Sequence, residues 1–95
     1  MLQYKAGYKF VDGGVHAQVI DFPAAITCGV DLAEARQLLT IALIDMAETC
    51  VETGERWPQP NPTASDGEMD IEEPIYLQLS ASTGMNEVPA GIVAP

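Results

Sequence analysis

Metal-assisted hydrolysis needs several carboxylates converging on bound cations. The early aspartates of this chain are Asp12, Asp21 and Asp31, and each falls at a turn or helix-cap position where a short polar side chain already has a structural role. The first predicted strand, residues 2–10, carries no acid at all. His16 is the lone histidine, with neither Cys28 nor Cys50 near it in sequence, so a general base or metal ligand has no companion there. The two cysteines lack CxxC spacing and read as buried free thiols of a reducing compartment, with a single disulfide as the other possibility. Gly13 and Gly14 could cradle a phosphate only with a helix start behind them, and the residues behind them, "VHAQVID", alternate as a strand does. Trp57 has only Arg56 beside it and reads as a plug over one end of the core, not as a platform for bases. The expectation is no catalytic residue, no metal and no cofactor.

The elements that hold these residues are legible. Leu2, Tyr4, Ala6, Tyr8 and Phe10 alternate with Gln3, Lys5, Gly7 and Lys9, the period of a half-buried strand. Asp12-Gly13-Gly14 turns the chain into a return strand with Val15, Ala17 and Val19 set against His16, Gln18 and Ile20. Pro23 ends that strand at Phe22, and "AAITC" makes a short third one with Ala24, Ile26 and Cys28 on one face. Gly29 releases the chain, Asp31 is the N-cap, and Glu34 reaches back in the manner of a capping box.

From Leu32 to about Thr53 the period becomes helical. One stripe holds Leu32, Ala35, Leu39, Ala42, Leu43, Met46 and Cys50, and the opposite side holds Glu34, Gln37, Glu48 and Glu52. That polar side also holds Ile41 and Ile44, which a solvated face does not need and which mark a homodimer seam or partner surface. Gly54 ends the helix, and Pro58, Pro60 and Pro62 forbid more of it. Residues 61–73 form an acidic, mobile loop whose Asp66, Glu68, Asp70, Glu72 and Glu73 are candidates for binding a basic partner. Residues 74–80 alternate Ile75, Leu77 and Leu79 against Tyr76, Gln78 and Ser80 as a fourth strand.

The order β-β-β-α-β predicts an α+β fold: a mainly antiparallel four-stranded sheet with one long helix on one face. The fourth strand returns through a right-handed crossover to lie beside the first. The other sheet face is expected to be bare, which favours self-association to a dimer or tetramer. Residues 1–80 make one domain, and residues 81–95 are too short and too rich in Gly and Pro for a DNA-binding module. Four basic residues against fourteen acidic ones give a net charge of −10, a field that repels nucleic acid and anionic lipid and attracts basic proteins. No signal-like N-terminus and no membrane-length apolar run is present, so a cytoplasmic location is expected.

The ordered set Asp21 and Pro23; Thr27, Gly29, Asp31, Glu34 and Ala35; and Gly54, Pro58 and Pro60 resembles the HicB-like antitoxin domain over about residues 4–62. The motif elements of that family are an Asp-x-Pro turn, Thr-x-Gly-x-Asp/Thr-x-x-Glu-Ala into a helix, and Gly-x-x-x-Pro-x-Pro after it. The resemblance implies a partial ribonuclease-H-like fold and a role in blocking a small basic HicA-type toxin that cleaves messenger RNA. Many such antitoxins carry a C-terminal DNA-binding segment; this chain departs there, and DNA binding is not expected. The alternative is an orphan HicB-fold regulatory or ligand-binding domain without a toxin. A metal-dependent nuclease is a third and weaker reading.

Overall fold

A computed structural model of the chain describes residues 1–78. The first alternating segment forms β1 (Leu2–Val11), and a two-residue turn with Gly13 at φ 81° leads into β2 (Gly14–Val19). Ala6 lies opposite Val19 and Val11 opposite Gly14. Phe22 then folds inward, 2 % exposed, and meets the Tyr4 ring edge-on at 5.4 Å. The amide of Ala25 donates to the Phe22 carbonyl at 3.0 Å, closing the Pro23 bend that aims β3 (Ile26–Gly29) back along β2.

Helix α1 (Leu32–Thr53) starts where its cap chemistry dictates. The Glu34 amide donates to Asp31 Oδ1 at 2.8 Å, and Glu34 Oε1 accepts from the Val30 amide, one residue ahead of the usual capping-box donor. Gly54, at φ 76°, closes the other end with Glu55 N donating to the Cys50 carbonyl. The buried helix residues are Ala35, Leu39, Leu43, Ala47 and Cys50. They pack on Tyr4, Ala6, Tyr8, Val15, Ala17, Val19, Ile75 and Leu77 of the sheet, and the small residues let the backbones approach closely. Ala47, absent from the predicted stripe, is fully buried, while Ala42 and Met46 are only partly so.

The sheet order is β3-β2-β1-β4, with β4 at Ile71–Leu77. The four-stranded α+β architecture is as expected, but the return to β4 is not the predicted crossover. β4 runs antiparallel to β1, with Tyr8 opposite Ile71 and Leu2 opposite Leu77. The physical reason is the segment after the helix. It travels the length of β1 before β4 begins, so β4 has to run back down. Strand β4 also starts three residues ahead of Pro74, and Glu72 and Glu73, expected in a mobile loop, are ladder residues. Leu79, Ser80 and the tail 81–95 lie outside the described residues.

That same segment overturns the expectation of a bare second face. Asp21 takes the Lys5 amide on one carboxylate oxygen and the Asn61 amide on the other, both at 2.8 Å, anchoring the linker to the base of the sheet. Lys5 Nζ donates to the Ala64 carbonyl and Lys9 Nζ to the Glu68 carbonyl. Met69 lies over Gly7, its Cγ 2.7 Å from where a Cβ would stand. The linker therefore covers the β1 half of this face. The β2–β3 half keeps Ile26 and Cys28 exposed, so the expectation of two buried thiols is corrected: Cys50 is buried, Cys28 is not, and both are free.

Candidate partner-binding surface

The five acids expected to meet a partner are mostly engaged within the chain. Glu72 Oε2 accepts from Ser65 Oγ and from the Asp66 amide, and Asp66 Oδ1 accepts from the Glu68 amide. Asp70 Oδ2 takes the Phe10 amide at 2.8 Å. Glu73 is held by Arg36 through two bonds of 2.9 Å, a bidentate pair that ties the helix to β4. Glu68 alone of the five shows no side-chain bond among the described residues. These carboxylates shape the linker; they do not line up as a recognition patch.

The Arg36–Glu73 pair leans on Tyr8, whose ring centroid is 6.0 Å from the Arg36 guanidinium carbon. The bond to Arg36 holds the Glu73 carboxyl below its usual range. Burial first, and the Glu73 charge second, push the Tyr8 phenol up to about 12. A phenol raised in the folded state favours folding while it stays protonated. Its contribution is whole below the unfolded value near 10 and fades as pH climbs through about 12. Unfolding free energy is expected to fall between pH 10 and 12 by up to about 2 kcal/mol more in the wild type than in Tyr8→Phe, by urea titrations at stepped pH. Parallel curves for the two proteins would contradict this placement of the phenol.

Among the described residues, carboxylates with no side-chain partner collect instead on the outer side of α1. Asp45, Glu48 and Glu52 are exposed, and with Ile41 they follow the spacing i, i+4, i+7, i+11, one stripe along the helix. Glu48 and Glu52 stand out in the sequence as a solvated face; Asp45 completes the stripe and is inconspicuous there beside the denser run at 66–73. Ile41 is 54 % exposed on this stripe. Ile44 is not its partner there. It is half-buried and packs against the core, so the expected two-isoleucine seam is corrected to a single exposed residue.

The motif residues are scaffolding. Asp12, Gly13 and Gly14 make the hairpin turn, Asp21 and Pro23 the bend and linker anchor, and Asp31 and Glu34 the helix cap. Thr27 and Gly29 belong to β3, and a Cβ on Gly29 would sit 2.7 Å from Ala35 N. Gly54 caps the helix, and the Pro58 carbonyl accepts from Tyr4 Oη at 2.8 Å while Pro60 continues the extended path. Trp57 donates its Nε1–H to the Ala47 carbonyl and packs on the core, as a plug should. His16 is a half-buried strand residue opposite Cys28. Among the described residues no three His, Cys, Asp or Glu side chains gather where a metal ion could sit, and no helix is long and apolar enough to cross a membrane.

No protein-family model matches this sequence, and no curated protein matches it. A solved structure does. The crystal structure of the N-terminal domain of the Burkholderia pseudomallei antitoxin HicB superposes with a TM-score of 0.64 over 82% of this chain and 100% of that one, at 18% identity. The fold is that of a HicB N-terminal domain. The three strands, capped helix and antiparallel fourth strand thus form a HicB-like unit, and at this identity the likeness establishes architecture alone.

Proposed function

We propose that this protein is an antitoxin-like inhibitor that binds a small basic HicA-type ribonuclease toxin and occludes it. It acts in the cytoplasm as a homo-oligomer, by binding and not by catalysis, without cofactor or DNA. The observation that carries this reading is the backbone match across the whole of a domain from an antitoxin. The charge distribution supports a basic partner. Lys5, Lys9 and Arg36 are tied to the linker and β4, while Asp45, Glu48 and Glu52 face outward.

Co-expression with the toxin-like product of the adjoining reading frame tests it. Growth is expected to recover, and the triple charge reversal Asp45→Lys, Glu48→Lys, Glu52→Lys is expected to weaken the isolated complex at least ~10-fold and flatten its salt dependence. Toxicity that persists beside a folded, abundant chain would end the proposal. The reversal separates its two parts: rescue that survives the triple variant keeps the inhibitor but moves its contact off α1.

A further inference from the structure

Among the described residues the sheet has two unpaired edges, and they differ. On β1, the Ile20 amide donates to the Lys5 carbonyl, so odd-numbered residues of β1 face β2 and even-numbered ones face β4. Tyr4 and Ala6 then bond to Ile75 and Glu73, which turns the backbones of Glu72, Pro74 and Tyr76 to the free side of β4. That edge is blunted: Pro74 offers no N–H, and Glu72 and Glu73 bring charge.

Among the described residues the β3 edge has no such device. The Val19 amide donates to the Ala25 carbonyl at 2.9 Å, which fixes the alternation along this ladder. Thr27 and Gly29 bond inward to β2, and Ile26 and Cys28 turn both N–H and C=O outward. The next outward amide, that of Val30, is taken by Glu34 Oε1. The open edge is therefore two residues long, and their side chains are exposed on the half-face that the linker leaves uncovered.

Charge selects what can pair there. Between Gly13 and Val30 the only acid is Asp21, and it is held at β1 and the linker, away from β3, while Asp31 and Glu34 lie at the helix cap just past the end of the edge. For a chain of net charge −10 a second copy approaches here with less repulsion than at the acidic stripe of α1, which is where a basic partner gains more. The outward groups are also self-complementary. A twofold axis at Thr27 pairs Ile26 with Cys28 of the second copy and Cys28 with its Ile26, making four backbone hydrogen bonds. Moving the axis to Cys28 places the occupied Val30 amide in the ladder, and moving it to Ile26 calls on Ala24, which lies in the Pro23 bend outside β3.

We infer that two copies join antiparallel along β3, in register about Thr27, to form one continuous eight-stranded sheet. This seam is independent of toxin binding and leaves the acidic stripe of α1 free. The test uses the full chain. Sedimentation velocity from micromolar to several hundred micromolar is expected to show a species of twice the 10.2 kDa chain mass. Ile26→Glu, at a half-exposed site, is expected to weaken the dimer at least ~10-fold with unchanged circular dichroism, and Ile41→Glu to leave it intact. Thr27→Cys in a Cys28→Ser background is expected to cross-link on mild oxidation, because directly opposed residues that exchange no backbone bonds bring their side chains closest. A monomer at every concentration overturns the inference. So does a dimer broken by Ile41→Glu and not by Ile26→Glu, or a sedimenting dimer of the Thr27→Cys variant that does not cross-link.

Discussion

Gly29→Ala is expected to cost about 3 kcal/mol of stability, near the top of the range for forcing extra volume into a packed site. A Cβ at this position would stand 2.7 Å from Ala35 N, 3.0 Å from Ala35 Cα and 3.2 Å from the Glu34 carbonyl carbon. All three are backbone atoms of the first helical turn, so no side chain can swing aside. The first turn of α1 has to lift off β3, and it carries the Asp31–Glu34 cap and the Val30 bond with it. Gly67→Ala is the control, since nothing lies within 4 Å of its would-be Cβ and its φ is ordinary. Urea melts of the two variants should differ by nearly the full effect. Equal midpoints would mean that the helix and β3 do not approach as described.

This glycine also shows why much of the fold was legible from sequence. Gly29, Asp31 and Glu34 act within five residues of one another, so their chemistry is written locally. The alternation of β1 and β2 and the Gly13 turn are local in the same way, and the helix begins and ends where Asp31 and Gly54 say it should. What escaped depends on distant partners. Glu73 reads as a loop acid until Arg36, 37 residues earlier, is seen to hold it on β4. Pro74 reads as the start of a strand, yet in the middle of an outer strand its missing N–H faces outward and costs the ladder nothing. The cover over β1 is made by the carbonyls of Ala64 and Glu68, groups that every residue has and that leave no signature. Ile44 misled because an ideal wheel records only the angle around the axis, not the flank that packs beside the sheet.

The candidate surface was half legible for a related reason. Residues 66–73 stand out by their clustering, but neighbouring acids in a folded loop find backbone amides close at hand, as Glu72 finds Asp66 and Asp70 finds Phe10. Asp45, Glu48 and Glu52 are spread along a helix whose own amides are already bonded, so their carboxylates are left to the solvent or to a partner. Free charge is set by what the backbone still needs, and local density of acids is a poor guide to it.

Leu39→Ala is the largest stability loss expected, about 2–5 kcal/mol. Small residues line this core: Ala6, Ala17, Ala25, Ala35 and Ala47 are all fully buried. The bulk is carried by Tyr4, Tyr8, Phe22, Leu39, Leu43, Ile75 and Leu77, with Val15 and Val19 between them. Alanines have no rotamers with which to fill a gap, and the helix cannot settle closer because Gly29 already meets the backbone of Ala35. The cavity left by Leu39 therefore stays open, which places the loss toward the upper part of that range. A domain this small holds only about 5–15 kcal/mol in total, so the thermal midpoint should drop by roughly 10–30 °C. Ile41→Ala, two residues away on the exposed side, is expected to move stability by no more than about 0.5 kcal/mol. Thermal unfolding followed by circular dichroism decides: a Leu39→Ala midpoint within a few degrees of Ile41→Ala would show that the core re-closes, and that the contact between α1 and β3 does not fix the height of the helix.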